Sequence, residues 1–201
     1  MSPSLIAAAA GLVVLVWALW WHGHQMIEGR PDVVSLELAG SGERLYGLLD
    51  ELRSDGRAKM RQALVIDRWI ILGYVFFFGG AAGASISVIR MAVEGGGRTV
   101  GTILAILVAV LVALAGALDL MEDRALAGAL AVWVEPPAQA MPATVESAAG
   151  RQAHRREMIA ALSGPSAKAA RAATAKFAIL AGVVPAWLVT VVTIYAAHAM
   201  N

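Results

Sequence analysis

Four apolar stretches, each about as long as a bilayer's hydrocarbon core is thick, constrain this chain more than any other feature. They run from Leu5 to Trp21, from Trp69 to Ile89, from Thr99 to Leu118 and from Phe177 to Ala197. A helix of about 20 residues, rising 1.5 Å per residue, crosses ~30 Å of hydrocarbon. None of the four carries Lys, Arg, Asp or Glu in its middle. Where no water can bond to the backbone, a lone segment satisfies its N–H and C=O groups only as a helix. The sequence therefore predicts an all-α chain: an integral membrane four-helix bundle, in one domain over residues 1–201, with helical cytoplasmic loops at 22–68 and 119–176. Composition agrees. The chain is 59% hydrophobic and 15% charged, whereas a soluble domain carries about a quarter of its residues charged.

The first stretch reads as a retained anchor rather than a cleaved leader. Met1-Ser2-Pro3-Ser4 has no basic side chain, and the stretch ends in Trp17, Trp20 and Trp21 instead of small residues. Those indoles suit the membrane–water boundary. Orientation follows the basic side chains. Arg30, Arg44, Arg53, Arg57, Lys59, Arg61 and Arg68 lie in the first long loop. Arg124, Arg151, Arg155, Arg156, Lys168, Arg171 and Lys176 lie in the other. The short connection between the second and third stretches has only Arg90 and Arg98. An excess of Lys and Arg marks the cytoplasmic side, which places both termini outside. Richness in Ala, Gly, Val and Arg suits a bacterial inner membrane. The net charge is +1, and no basic run of the kind that tracks a nucleic-acid backbone is present. With no cysteine, disulfides and thiolate chemistry are excluded.

Both long loops carry helix signals. Ser41 can cap a helix in which Leu45, Leu48, Leu49 and Leu52 recur at i, i+3, i+4 and i+7, with a break at Asp55-Gly56 and a second segment, Arg57 to Ile66, running into span two. In the other loop, span three extends to about Val134, and Pro136, Pro137 and Pro142 end it. Thr144 can cap a helix from Val145 to about Leu162, Gly164-Pro165 breaks it, and Ser166 can cap a last helix leading into span four. Arg151, Arg155, Arg156, Lys168 and Arg171 make this loop basic, either as topology determinants or as contacts to anionic lipid headgroups.

Inside span two, Gly79, Gly80, Gly83, Ala84 and Ser87 stand at small-xxx-small spacings. Such residues let helix backbones approach closely, within the chain or across subunits. A set of charges falls at one depth: Asp67 and Arg68 where span two begins, Asp119, Glu122, Asp123 and Arg124 where span three ends, and Lys176 where span four begins, with His22 and His24 after span one. Asp119 and Glu122 share a helix face at i, i+3, and Asp67 shares one with Tyr74 at i, i+7. Three roles compete for the set. One is ion pairs that fix helix register, for example Asp67 or Asp119 with Arg68, Arg124 or Lys176. Another is a cation site of Asp67, Asp119 and Glu122, with or without His22 or His24. The last is a proton or substrate path, against which stands the lack of a carboxylate at mid-bilayer.

The runs Leu36-Glu37-Leu38-Ala39, Leu64-Val65-Ile66-Asp67 with Tyr74 after it, and Leu118-Asp119-Leu120-Met121-Glu122-Asp123 resemble a set of uncharacterised four-span bacterial inner-membrane proteins. That set has an Asp at the start of span two and D-x-x-E-N at the end of span three. Asp123 stands here where Asn is usual. The resemblance implies the four-span layout and no activity.

Recognisable catalytic patterns are absent. There is no phosphate-binding glycine loop, no nucleophile elbow, no HExxH or paired ExxH, and no mid-span His pair for haem. Neither a cofactor nor a metal is predicted. The expectation is an accessory or assembly subunit of a larger membrane complex, conceivably for lipid transport, with membrane lipids and a protein as partners. The alternatives are a membrane enzyme or cation handler using the interfacial carboxylates, and an anionic-lipid-binding protein.

Overall fold

The computed structural model describes residues 2–25, 33–92, 96–133 and 148–199. Among them all regular structure is helical: α1 Pro3–Gln25, α2 Val33–Glu37, α3 Gly42–Glu51, α4 Arg53–Ala92, α5 Gly96–Val132 and α6 Ala148–Ala199. Four helices are long and apolar enough to cross a membrane, over Pro3–His22, Gly56–Met91, Arg98–Val132 and Gln152–Trp187. The last of these begins well before Phe177, because α6 continues N-terminally as one helix.

The helices divide into two compact units. The first comprises Met1–His24, Ile66–Asp119 and Ala175–Asn201. In it α1 lies against α4 along a line of small residues. A Cβ at Gly11 would come within 2.3 Å of the Phe77 backbone N, one at Gly73 within 2.7 Å of the Leu15 N, and one at Gly80 within 2.5 Å of the Ala8 N. Only hydrogen fits there, so the two backbones touch. On the other side of α4, Ala82, Val108, Val112 and Val183 form a small core with Phe78 and Trp187, whose rings meet edge to face at 5.9 Å. Hydroxyls in these apolar helices bond back to their own backbone, Ser85 to the Ala81 carbonyl and Thr190 to that of Ala186, so burial leaves them satisfied.

The second unit comprises Gln25–Val65 and Leu120–Thr174. Gly40 takes φ +71 after α2, a left-handed conformation open to glycine. Ser41 then caps α3, its Oγ accepting from the Arg44 N–H at 3.2 Å. Leu45, Leu49 and Leu52 are buried and Leu48 packs beside them, so the predicted stripe faces a core that includes Leu36, Met60, Leu64, Leu126, Leu130, Trp133 and Leu162.

Two predicted breaks do not occur where expected. The boundary between α3 and α4 falls at Leu52, itself in helical geometry, and Asp55-Gly56 lies within the start of α4, with Gly56 buried. Gly56 is thus a buried position inside a helix and not a turn. Gly164-Pro165 leaves α6 unbroken. Leu162, Ser166, Ala169 and Ala173, at i, i+4, i+7 and i+11, are all fully buried. One face of α6 therefore packs continuously past the proline, and that packing outweighs the lost N–H donor and the steric cost of the ring. Ser166 is accordingly inside a helix, not capping one. Val145, Thr144 and the three prolines before them lie outside the described residues.

Candidate functional site

In the first unit α4, α5 and α6 each bring one polar side chain to a common point. Asp119 accepts from Lys176, with Nζ 2.6 Å from Oδ1, and the Tyr74 hydroxyl donates to the other carboxylate oxygen, Oδ2. The two charged side chains are only 9% and 7% exposed. Lys176 also lies over the Phe177 ring, 4.8 Å from its centroid. Each oxygen of the carboxylate thus has its own donor, and the pair is neutral as a whole. Bringing two charges out of water is costly, and it is offset only by good geometry with the remaining lone pairs bonded. Here the contacts are short and each carboxylate oxygen has a donor. Asp67 is half-buried on the Tyr74 side of α4 and is itself engaged. Arg68, by contrast, is exposed.

The remaining charges of the predicted set belong to the second unit. Glu122 and Asp123 are 1% and 2% exposed, and each is engaged, while Arg124 is exposed. Glu37 and Arg57 are buried there as well, and neither stood out as a site residue in the sequence. The signal for Arg57 was its place a few residues beyond a helix end. Its Nη1 donates to the Leu49 carbonyl at 3.3 Å and its guanidinium lies 5.8 Å from the Trp133 ring centroid. Arg61 likewise donates to the Leu130 carbonyl at 3.1 Å. Both arginines occupy the unbonded carbonyls of helix C-termini, those of α3 and α5. Part of the basic content of the first long loop therefore holds the fold together, besides any bearing on orientation. Tyr46 packs on Trp133 at 4.6 Å and receives Arg155 at 5.6 Å, with Glu43 3.6 Å from the same guanidinium.

Of the basic residues of α6, Arg155, Arg156, Lys168 and Arg171 are exposed, whereas Lys176 is buried in the ion pair. The side chain of Arg151 lies outside the described set, as does that of His24. Because α6 is one helix, Arg155 and Arg171 point about 160° apart around its axis. They do not form a single patch on it. Of the predicted small-residue face, Gly80 and Gly83 lie against Ala8 and Ser4 of α1, whereas Gly79 faces open space and Ser87 is exposed. Close packing within the chain thus uses part of that face. Gly11 and Gly73, which make the same contact, were detectable only as small residues among apolar ones.

No three His, Asp or Glu side chains among the described residues come together as a group that could hold a metal ion. In the Asp119–Lys176–Tyr74 cluster each carboxylate oxygen instead has a donor from within the chain. Compared with protein-family models, with curated proteins and with solved structures, the chain matches none.

Proposed function

We propose that this chain is a multi-pass protein of the bacterial inner membrane, a four-helix bundle with both termini outside, serving as a non-catalytic accessory or assembly subunit of a larger membrane complex that handles lipids. The observation that carries this reading is the closed ion pair. The best-defined polar cluster among the long apolar helices ties α4, α5 and α6 together through Tyr74, Asp119 and Lys176 and gives each carboxylate oxygen a donor from within the chain. A second feature supports it. The apolar window of α1 is the least buried of the four, and Leu5, Ile6, Val13, Val16, Leu19 and Trp20 are exposed, a surface suited to lipid or to another subunit's helix.

The test is isolation from native membranes in mild detergent, with chemical cross-linking beforehand. A discrete assembly larger than the 21.0 kDa chain in its micelle, containing a cross-linked partner in fixed ratio, is expected. A bare monomer with no cross-linked partner would contradict the reading.

A further inference from the structure

The close contact of α1 with α4 leaves a trough along one flank. Ile6, Ala10 and Val14 of α1 and Trp69, Leu72 and Phe76 of α4 line it, and its volume is about 390 Å³. It exists because Gly11, Gly73 and Gly80 draw the backbones together, small side chains on α1 keep one wall low, and Trp69 and Phe76 raise the other. It extends on α1 from Pro3 to Val14, about 17 Å of helix, and on α4 from Phe76 to Trp69.

The Trp69 end of the trough has a different character. Trp17 meets Trp21 at 5.3 Å and Trp69 at 6.2 Å, both edge to face. Indoles gathered in this way belong at headgroup depth. Arg68 is exposed, one helical turn from Leu72 and next to Trp69, and so stands beside the trough. Asp67 is on the opposite side of α4, with Tyr74. α1 has no Lys, Arg, Asp or Glu. Of the two helices that make the trough, the formal charge beside its Trp69 end is thus a single positive one.

We infer that this trough holds one acyl chain of an anionic phospholipid, with the headgroup phosphate against Arg68 and the indoles. The wholly apolar lining selects an acyl chain, and the exposed Arg68 at the Trp69 end selects headgroup charge. The site rests on the membrane reading above but not on the subunit role, so a protein that proves monomeric can still carry it. It is also separate from the basic residues of α6.

Native mass spectrometry of the detergent-purified full chain tests it, with equimolar phosphatidylglycerol and phosphatidylcholine of identical acyl chains as probes. The wild-type protein is expected to retain one lipid and to favour phosphatidylglycerol about fivefold. Arg68→Gln keeps one lipid and loses the preference. Ala10→Phe, which fills the trough from an exposed position on α1, abolishes retention, and Leu72→Trp does the same from the other wall. Retention by a filling variant whose circular dichroism matches wild type overturns the proposal. Equal retention of the two lipids by the wild-type protein also overturns it.

Discussion

Asp119 and Lys176 are each dependent on the other's charge. With either removed, the survivor is a nearly buried ion that has lost its counter-charge, and breaking such a pair costs about 3–5 kcal/mol. Lys176→Met and Asp119→Leu are each expected to lower stability by that order in reversible unfolding from mixed micelles. The double variant, apolar at both positions, is expected to recover most of the loss, because well-packed hydrophobic replacements of buried pairs are often neutral. Tyr74→Phe removes one hydrogen bond to a charged acceptor, at about 1.5–3 kcal/mol. If the double variant is as unstable as the sum of the singles, the pair is not a matched structural contact. The sequence allowed several partners for Asp119, among them Arg68, Arg124 and Lys176. What selects Lys176 is the rotation of α6 against α5, which local residue patterns do not encode.

Elements whose signals are local were legible. Ser41 and the leucines that follow specify a capped amphipathic helix within a dozen residues, and α3 has that form. Elements whose boundaries depend on packing were not. Pro165 reads as a stop until the buried stripe from Leu162 to Ala173 is seen to continue through it. The small residues of α4 announced a close contact without naming its partner, and Gly79 and Gly80 looked alike. They differ in their surroundings. An added Cβ at Gly80 meets the α1 backbone at 2.5 Å, whereas at Gly79 it meets nothing within 4 Å. Gly80→Ala is therefore expected to push α1 from α4 and destabilise by about 1–3 kcal/mol. Gly79→Ala is expected to be neutral or to stabilise by up to about 1 kcal/mol, since alanine restricts the unfolded chain more than glycine does. Thermal unfolding of the two variants side by side checks this, and equal losses would mean that the α1–α4 contact does not exist as described.

At the scale of the whole molecule, the four apolar stretches were the most legible feature, because lipid leaves a spanning segment so few ways to satisfy its backbone. All four fall in helices, α1, α4, α5 and α6. The continuation of α4 and α5 beyond their apolar stretches was legible as well, whereas the unbroken run of α6 past Gly164-Pro165 was not, because it depends on packing in a second unit with its own core. The proposed topology, with four crossings, puts Ser2 and Arg98 on one side of the membrane and Gly47 and Gln152 on the other. The chain has no cysteine, so single cysteines at these positions report without background. In intact spheroplasts, a membrane-impermeant maleimide is expected to label Ser2→Cys and Arg98→Cys at once, and Gly47→Cys and Gln152→Cys only after permeabilisation. Immediate labelling of Gly47→Cys and Gln152→Cys with Ser2→Cys protected would contradict that orientation, and labelling of all four without permeabilisation would contradict a membrane-spanning chain altogether.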